Sequence, residues 1–295
     1  MDKARKLFSE MPDKNISPNV VTYNALIDGL CKEGKLDKAT KLFSEMSERN
    51  ICPNIVTYNS LIHGLCNKGK LDEAKKLFYE MSSRNICPDL VSYTALINGL
   101  CKERKWQEVT RVLHEMLNKG CNPDVITYST VIDGLGKEGK LQEALGLLDV
   151  MVKIGNPPNE ITYSTLINGF CRVGNLEKAG ELLREMPEKG CRPDLVSYNT
   201  LIHGLCKHNR IDEAHQIFYE MQGQGQSPDI ITYTTLMNGL CRVGNLKEAI
   251  KLFEQMKDRG HGPHMISYAT IMDALCKEGT PQNANRILDE ILKKV

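Results

Sequence analysis

The sequence predicts an all-α solenoid of stacked two-helix repeats. Three observations carry that prediction. Tyr recurs at 23, 58, 93, 128, 163, 198, 233 and 268, and Pro at 18, 53, 88, 123, 158, 193, 228 and 263, every step being 35 residues. Between these markers the apolar residues follow helical spacing. Each unit carries two apolar stripes, which one hairpin cannot bury alone, so neighbouring units must stack.

With Val20 as repeat position 1, the full units are 20–54, 55–89, 90–124, 125–159, 160–194, 195–229 and 230–264. Residues 1–19 match positions 17–35 of a preceding unit, and 265–295 form a truncated one, so 1–295 reads as a single array cut from a longer one. In the first unit Tyr23, Leu26, Ile27, Leu30 and Cys31 fall on one face of a helix, A. Thr22, or Ser in other copies, suits its N-cap. Gly34 is placed as a left-handed stop; Asn209 can take that conformation, and Arg104 is the exception. Helix B carries Leu36, Ala39, Leu42, Phe43 and Met46. In the last unit Thr280-Pro281 suits the N-cap and first position of helix B. Pro53 and its equivalents break the chain before the next unit. Gly29 recurs inside helix A in seven units and is replaced by Ala274 in the last. Because Gly costs a helix about 1 kcal/mol against Ala, close helix approach is the expected reason.

Composition excludes several classes. The chain is 25% charged with a net charge of +1, so it lacks the large basic excess common in nucleic-acid binders. No apolar run reaches the ~18 residues of a membrane span. "MDKARKLFSEM" carries acids and has neither the apolar core of a signal peptide nor the acid-poor character of a transit peptide, so any targeting segment is expected upstream. Eleven Cys with no CxxC fit neither a disulfide framework nor a zinc site. They read as small apolar core residues in a reducing compartment.

Other motifs dissolve on inspection. "GLCKEGK" at Gly29–Lys35 fits GxxxxGK, but Leu follows the Lys and the stretch ends a helix, whereas a phosphate loop needs Ser or Thr there and follows a strand. Asp28, Asp133 and Asp273 share position 9, yet His or Asn replaces them in other units. No catalytic residue, metal ligand or cofactor is expected.

The unit "VVTYNALIDGLCKEGKLDKATKLFSEMSERNICPN" resembles the pentatricopeptide repeat of plant organelle RNA-binding proteins. Tetratricopeptide units are 34 residues long and carry a W-x2-L-G-x2-Y pattern that is absent here. The recurring V-T-Y-N-x-L-I-x-G-L-C-K opening and unbroken spacing are similar to the P-class, and within it to the fertility-restorer-like branch. The resemblance implies a right-handed superhelical solenoid that binds single-stranded RNA, about one base per repeat, read by positions 5 and 35. It also implies an organellar location, the mitochondrion favoured over the chloroplast.

Position 5 lies in the first turn of helix A and position 35 just before the next helix A, which puts both on one edge of a regular stack. Asp at 35 only accepts, suiting the ring N–H of U or G; Asn also donates, suiting the ring acceptors of C or A. The family pattern adds pyrimidines for Asn at 5 and purines for Thr or Ser. Asn24 with Asn54 then suggests C, with U tolerated, Asn59 with Asp89 U, Thr94 with Asp124 G, Ser129 with Asn159 A, Ser164 with Asp194 G, and Asn199 with Asp229 U. Thr234 with His264 departs from the family pairs, and Ala269 lacks a hydrogen-bonding group. The expected target is 5′-CUGAGU-3′. Turn chemistry alone explains why these positions are polar. It does not explain why they vary while their neighbours stay fixed.

Position 2 holds Val21, Val56, Val91, Ile126, Ile161, Val196, Ile231 and Ile266. The resemblance implies that these sandwich the bases; core packing at the helix start is the alternative. Position 13 holds Lys32, Asn67, Lys102, Lys137, Arg172, Lys207, Arg242 and Lys277. The resemblance implies phosphate contacts for the seven basic residues, and a favourable cation near a helix C-terminus is the alternative. The leading function is sequence-specific RNA binding that blocks nucleases, remodels RNA or positions a partner such as a nuclease. A protein-binding scaffold is the runner-up. Helix faces left uncovered at the array ends, around Leu7 and Phe8, suggest self-association.

Overall fold

The structure, a computed structural model, describes residues 2–260, 262 and 265–277. Among them every regular element is helical. The chain packs as two compact units, Met1–Leu135 and Gly136–Val295. The first holds α1 (Asp2–Glu10), α2 (Val20–Lys32), α3 (Leu36–Glu48), α4 (Ile55–Asn67), α5 (Leu71–Ser83), α6 (Leu90–Lys102) and α7 (Trp106–Asn118). Helix α8 (Val125–Lys137) runs across the boundary. The second holds α9 (Leu141–Lys153), α10 (Glu160–Val173), α11 (Leu176–Glu185), α12 (Leu195–Lys207), α13 (Ile211–Gly223), α14 (Ile230–Arg242), α15 (Leu246–Asp258) and α16 (Met265–Lys277). Every even-numbered helix is an A helix and starts at repeat position 1.

Packing follows the repeat. In the first unit α2 packs on α3 and α4, and α4 on α5 and α6. In the second, α10 packs on α11 and α12, α12 on α13 and α14, and α14 on α15 and α16. Tyr23, Leu26, Ile27 and Leu30 are buried, as are Leu36, Ala39 and Met46 of α3. Each such Leu or Ile contributes about 1.5–3 kcal/mol on leaving water. In the first unit the recurrent Tyr is held at both ends. The Tyr58 ring meets Phe43 of the preceding unit edge-on at 5.4 Å, and its hydroxyl donates to Glu80 Oε1 at 3.3 Å. Tyr233 meets Phe218 in the same way.

Two rows of left-handed residues end the helices. Gly34, Gly69, Gly139, Gly174 and Gly244 close A helices, and Arg104 and Asn209 take the same conformation at φ 60° and 61°. The exceptional Arg therefore adopts the stop despite its Cβ. The bonds that reward it are those seen at Gly34, where the Gly34 amide donates to Cys31 O and the Lys35 amide to Leu30 O. A second row, Asn15, Asn50, Asn85, Gly120, Gly155, Gly190, Gly225 and Gly260, closes B helices and was not singled out from sequence.

The structure corrects the N-cap. Thr22 sits one turn inside α2, and Asn19 is the cap: its side chain accepts from the Thr22 amide, and the Thr22 hydroxyl accepts from the Asn19 amide. The same reciprocal box forms at Asn54/Thr57, Asp89/Ser92, Asn159/Thr162 and Asp229/Thr232. Both residues favour helix starts, so composition alone could not assign the roles. The Thr280-Pro281 start lies outside the described residues.

The cysteine expectation also needs correction. Cys31, Cys66, Cys101, Cys171, Cys191 and Cys206 are buried, but Cys52, Cys87 and Cys276 are exposed, with Cys121 and Cys241 between. Cys52 and Cys87 stand in the loops before Pro, beyond the helical stripes. The buried Cys on A helices are covered by the recurrent Gly of the next unit: a Cβ on Gly99 would lie 2.9 Å from Cys66 Cβ, and one on Gly239 would lie 2.8 Å from Cys206 Sγ. Close approach is thus the reason for that Gly.

Candidate functional site

Position 35 is the cap of each following A helix, and this fixes its side chain. Asn54, Asp89, Asp194 and Asp229 each accept the backbone N–H of position 3 through the side chain. Asp124 does so from Thr127 at 2.8 Å. All five are half-buried.

The structure brings positions 5 and 35 together. Asn24 Nδ2 donates to Asn54 Oδ1 at 3.0 Å, Asn59 Nδ2 to Asp89 Oδ1 at 3.1 Å, and Asn199 Nδ2 to Asp229 Oδ1 at 3.4 Å. Where position 5 is Thr or Ser, its hydroxyl meets the position 3 hydroxyl instead. Thr94 pairs with Thr127 at 2.9 Å, Ser164 with Ser197 at 2.8 Å, and Thr234 with Ser267 at 3.1 Å. Ser129 is buried near the start of α8, and Asn159 caps α10 in the other unit. Ala269 is exposed. His264 lies outside the described residues.

Electrostatics follow from the cap. Burial would raise the Asp89 carboxyl, but hydrogen bonds from the Ser92 amide and hydroxyl and from Asn59 outweigh it, holding it below its usual 3.8. Burial, Thr232 and Asn199 act likewise on Asp229, with the same net lowering. Both are carboxylates near neutral pH, able only to accept.

Position 2 is not core. In the first unit Val21, Val56, Val91 and Ile126, and in the second Ile161, Val196, Ile231 and Ile266, are each between 50% and 67% exposed. Positions 2 and 5 are one helical turn apart and so share a face. Neighbouring packed helices stand about 8–10 Å apart. A flat ring in contact with an aliphatic group on each side needs roughly 7–8 Å. Within each compact unit, neighbouring A helices therefore frame slots with exposed aliphatic walls from position 2 and the polar position 5 and 35 side chains at the floor.

Lys32, Lys102, Lys137, Arg172, Lys207, Arg242 and Lys277 are exposed in the last turn of their helices, about 12 Å along the axis from position 5 at 1.5 Å per residue. Sequence reasoning missed that an Asp at position 9 pairs with the position 13 Lys one turn later in α2 and α16, the first and last A helices. Lys32 bridges to Asp28 at 2.7 Å and Lys277 to Asp273 at 2.6 Å. Lys102 reaches across to the one non-basic member, donating to Asn67 Oδ1 at 2.6 Å. The i, i+4 spacing carried this signal. Among the described residues no group of three or more His, Cys, Asp or Glu is placed to hold a metal. None of their helices is long and apolar enough to cross a membrane.

The maize pentatricopeptide repeat protein PPR10 superposes with a TM-score of 0.64 at 24% identity, over 99% of this chain and 46% of that one. The chain thus spans about half the length of PPR10. PPR10 in complex with an 18-nt psaJ RNA element gives a TM-score of 0.55 at 24% identity, covering 98% of this chain and 47% of that one. Yeast Rmd9p in complex with a 16-nt target RNA gives 0.59 at 11% identity, covering 98% and 69%. These likenesses are of fold. The search of curated proteins found no match. The PPR repeat family profile matches residues 1–32, 18–67, 53–102, 88–137, 125–172, 163–207, 193–242 and 228–277, and the PPR repeat profile matches 266–294. With residues 1–294 of 295 matched in this way, the chain belongs to the pentatricopeptide repeat (PPR) family.

Proposed function

We propose that the chain binds single-stranded RNA sequence-specifically, about one base per repeat, with a target near 5′-CUGAGU-3′. The observation that carries this reading is the direct bond between positions 5 and 35 at the floor of each Asn-containing slot, as between Asn59 and Asp89 at 3.1 Å. Two variable polar side chains are held as one unit, next to exposed aliphatic walls. The Asp Oδ1 is engaged by the cap, which leaves Oδ2 for the base. PPR10 and Rmd9p, whose fold the chain shares, have been solved with RNA, which supports the same reading.

The action is occupancy without catalysis: shielding RNA, remodelling it or positioning a partner such as a nuclease. An organelle, the mitochondrion ahead of the chloroplast, is the setting in which it would serve RNA processing, stabilisation or translation.

The test is Asp229→Asn. It replaces an obligate acceptor by a group that also donates, while keeping a capping side chain. Preference at the one nucleotide assigned to repeat 195–229 should move from U toward C, by roughly five- to a hundredfold on the 1–3 kcal/mol typical of a base contact in DNA readout. Binding is measured for four RNAs that differ only at that base, at fixed salt. Equal affinity of wild type and variant for all four refutes base reading and favours the scaffold.

A further inference from the structure

The position 3 hydroxyl is the most buried polar group at the site. Thr57, Ser92, Thr127, Thr162, Ser197, Thr232 and Ser267 are each 0% exposed. A hydroxyl has one proton, and where that proton goes can be worked out.

Where position 5 is Asn, the amide orientation is forced. Asp89 Oδ1 accepts the Ser92 amide at 2.9 Å, so the group of Asn59 that faces it must be an N–H. Asn59 Oδ1 then faces Ser92 Oγ at 2.5 Å. A carbonyl cannot donate, so the shorter of the two contacts of the Ser92 hydroxyl, 2.5 Å to Asn59 Oδ1 against 2.9 Å to Asp89 Oδ1, takes the greater share of its one proton. The hydroxyl oxygen in turn accepts the Asp89 amide at 3.2 Å. Thr57 with Asn24, and Thr232 with Asn199, repeat this at 2.6 Å. The Asn keeps one N–H and one carbonyl lone pair for a base.

In repeats 90–124 and 160–194, where position 5 is Thr94 or Ser164, the polarity reverses. Thr127 Oγ1 donates to Asp124 Oδ1 at 2.9 Å, and Ser197 Oγ to Asp194 Oδ1 at 2.7 Å. A carboxylate outcompetes a neutral hydroxyl for the proton. Thr94 and Ser164 must therefore spend their own protons on Thr127 and Ser197. Only lone pairs remain to face a base.

From this wiring we propose that the position 3 hydroxyl is a third, buried positioning residue, which sets whether position 5 shows a base a donor or only acceptors. The inference rests on the base-reading function proposed above. In repeats 90–124 and 160–194, position 5 and the Asp Oδ2 then present two acceptors side by side. They match an edge with two adjacent donors, the ring N–H and exocyclic amine of guanine.

The test is Thr127→Val, with Thr127→Ser as the conservative control, against the four RNAs 5′-CUNAGU-3′. Wild type and T127S should favour G. In T127V the Thr94 hydroxyl loses its acceptor and turns outward as a donor, so preference for G should fall about fivefold or more. Discrimination at neighbouring nucleotides should be kept. A purely structural hydroxyl would weaken all four RNAs alike and leave their ratios unchanged, and that result overturns the inference. Should T127V not fold, Ser197→Ala, at the residue that faces Ser164 of repeat 160–194, makes the same comparison at the fifth nucleotide and decides it by the same criterion. Wild type binding all four RNAs equally refutes base reading itself; discrimination retained in the folded variant refutes only the role of the hydroxyl.

Discussion

Gly64 of α4 lies against Cys31 of α2 so closely that a Cβ on the glycine would stand 2.7 Å from the Cys31 Cβ and 2.8 Å from its Sγ. The same register sets Ala274 opposite Cys241, which is half-exposed where Cys31 is buried. Gly64→Ala should therefore destabilise. The gain of about 1 kcal/mol in helix propensity is outweighed by overpacking of about 1–3 kcal/mol. Adding Cys31→Gly should relieve the clash, giving a favourable coupling in a double-mutant cycle read by thermal unfolding. A more stable single Ala variant would contradict this account of the contact.

Thiol reactivity should divide the cysteines by place in the repeat. Burial pushes the Cys31 and Cys66 thiols up to about 11 and those of Cys171 and Cys206 to about 12. With little thiolate and no access, these should resist iodoacetamide in the native protein near neutral pH. Cys52, Cys87 and Cys276, all exposed, should label first. Peptide mass spectrometry of briefly alkylated protein reads the order, and equal labelling of Cys66 and Cys87 would contradict it.

The caps should make stability sensitive to acid. Asp89 and Asp229 are held below their ordinary 3.8 when folded. For a lowered carboxyl, the stabilisation is complete above the unfolded value and is lost as pH falls through the folded one. Asp89→Asn keeps a good cap but removes the titration. The wild type's stability relative to this variant should be constant near neutral pH and decline below 3.8. Melting temperatures across an acid series check the sign; a difference that grows on acidification would reverse it.

Replacing Lys102, Lys137 and Arg172 by Ala should weaken every RNA alike and lower the salt slope by up to about 2, at roughly 0.7 per phosphate on single strands. An unchanged slope would assign these residues to their helix ends. A reduced slope combined with altered base preference would mean that they touch more than phosphate.

Most of the fold was legible because periodicity averages over many units: Tyr, Pro and Gly rows fix helix, turn and stacking together. The pairing of positions 5 and 35 was legible for the same reason. What escaped were distinctions between residues of equal propensity. Asn19 and Thr22 both suit a helix start, and only the backbone path decides which is the cap. Val21 was ambiguous because a branched apolar residue suits a core as well as an exposed wall. Cys31 and Cys52 differ in burial through what the next unit places over them, and a single unit's sequence does not carry that.

The residues at position 35, proposed to face the base, are also the caps on which the next helix starts, and this limits how the array can be rewritten. Only side chains able to accept the position 3 amide keep the helix start, a contribution of about 1 kcal/mol. Asn and Asp, the residues at Asn54, Asp89, Asp124, Asn159, Asp194 and Asp229, meet that demand nearly equally. Position 35 is thus close to a two-letter alphabet. Position 5, which begins no helix, is where Asn, Thr, Ser and Ala can be exchanged without disturbing the frame, so new target sequences should be spelled mainly there.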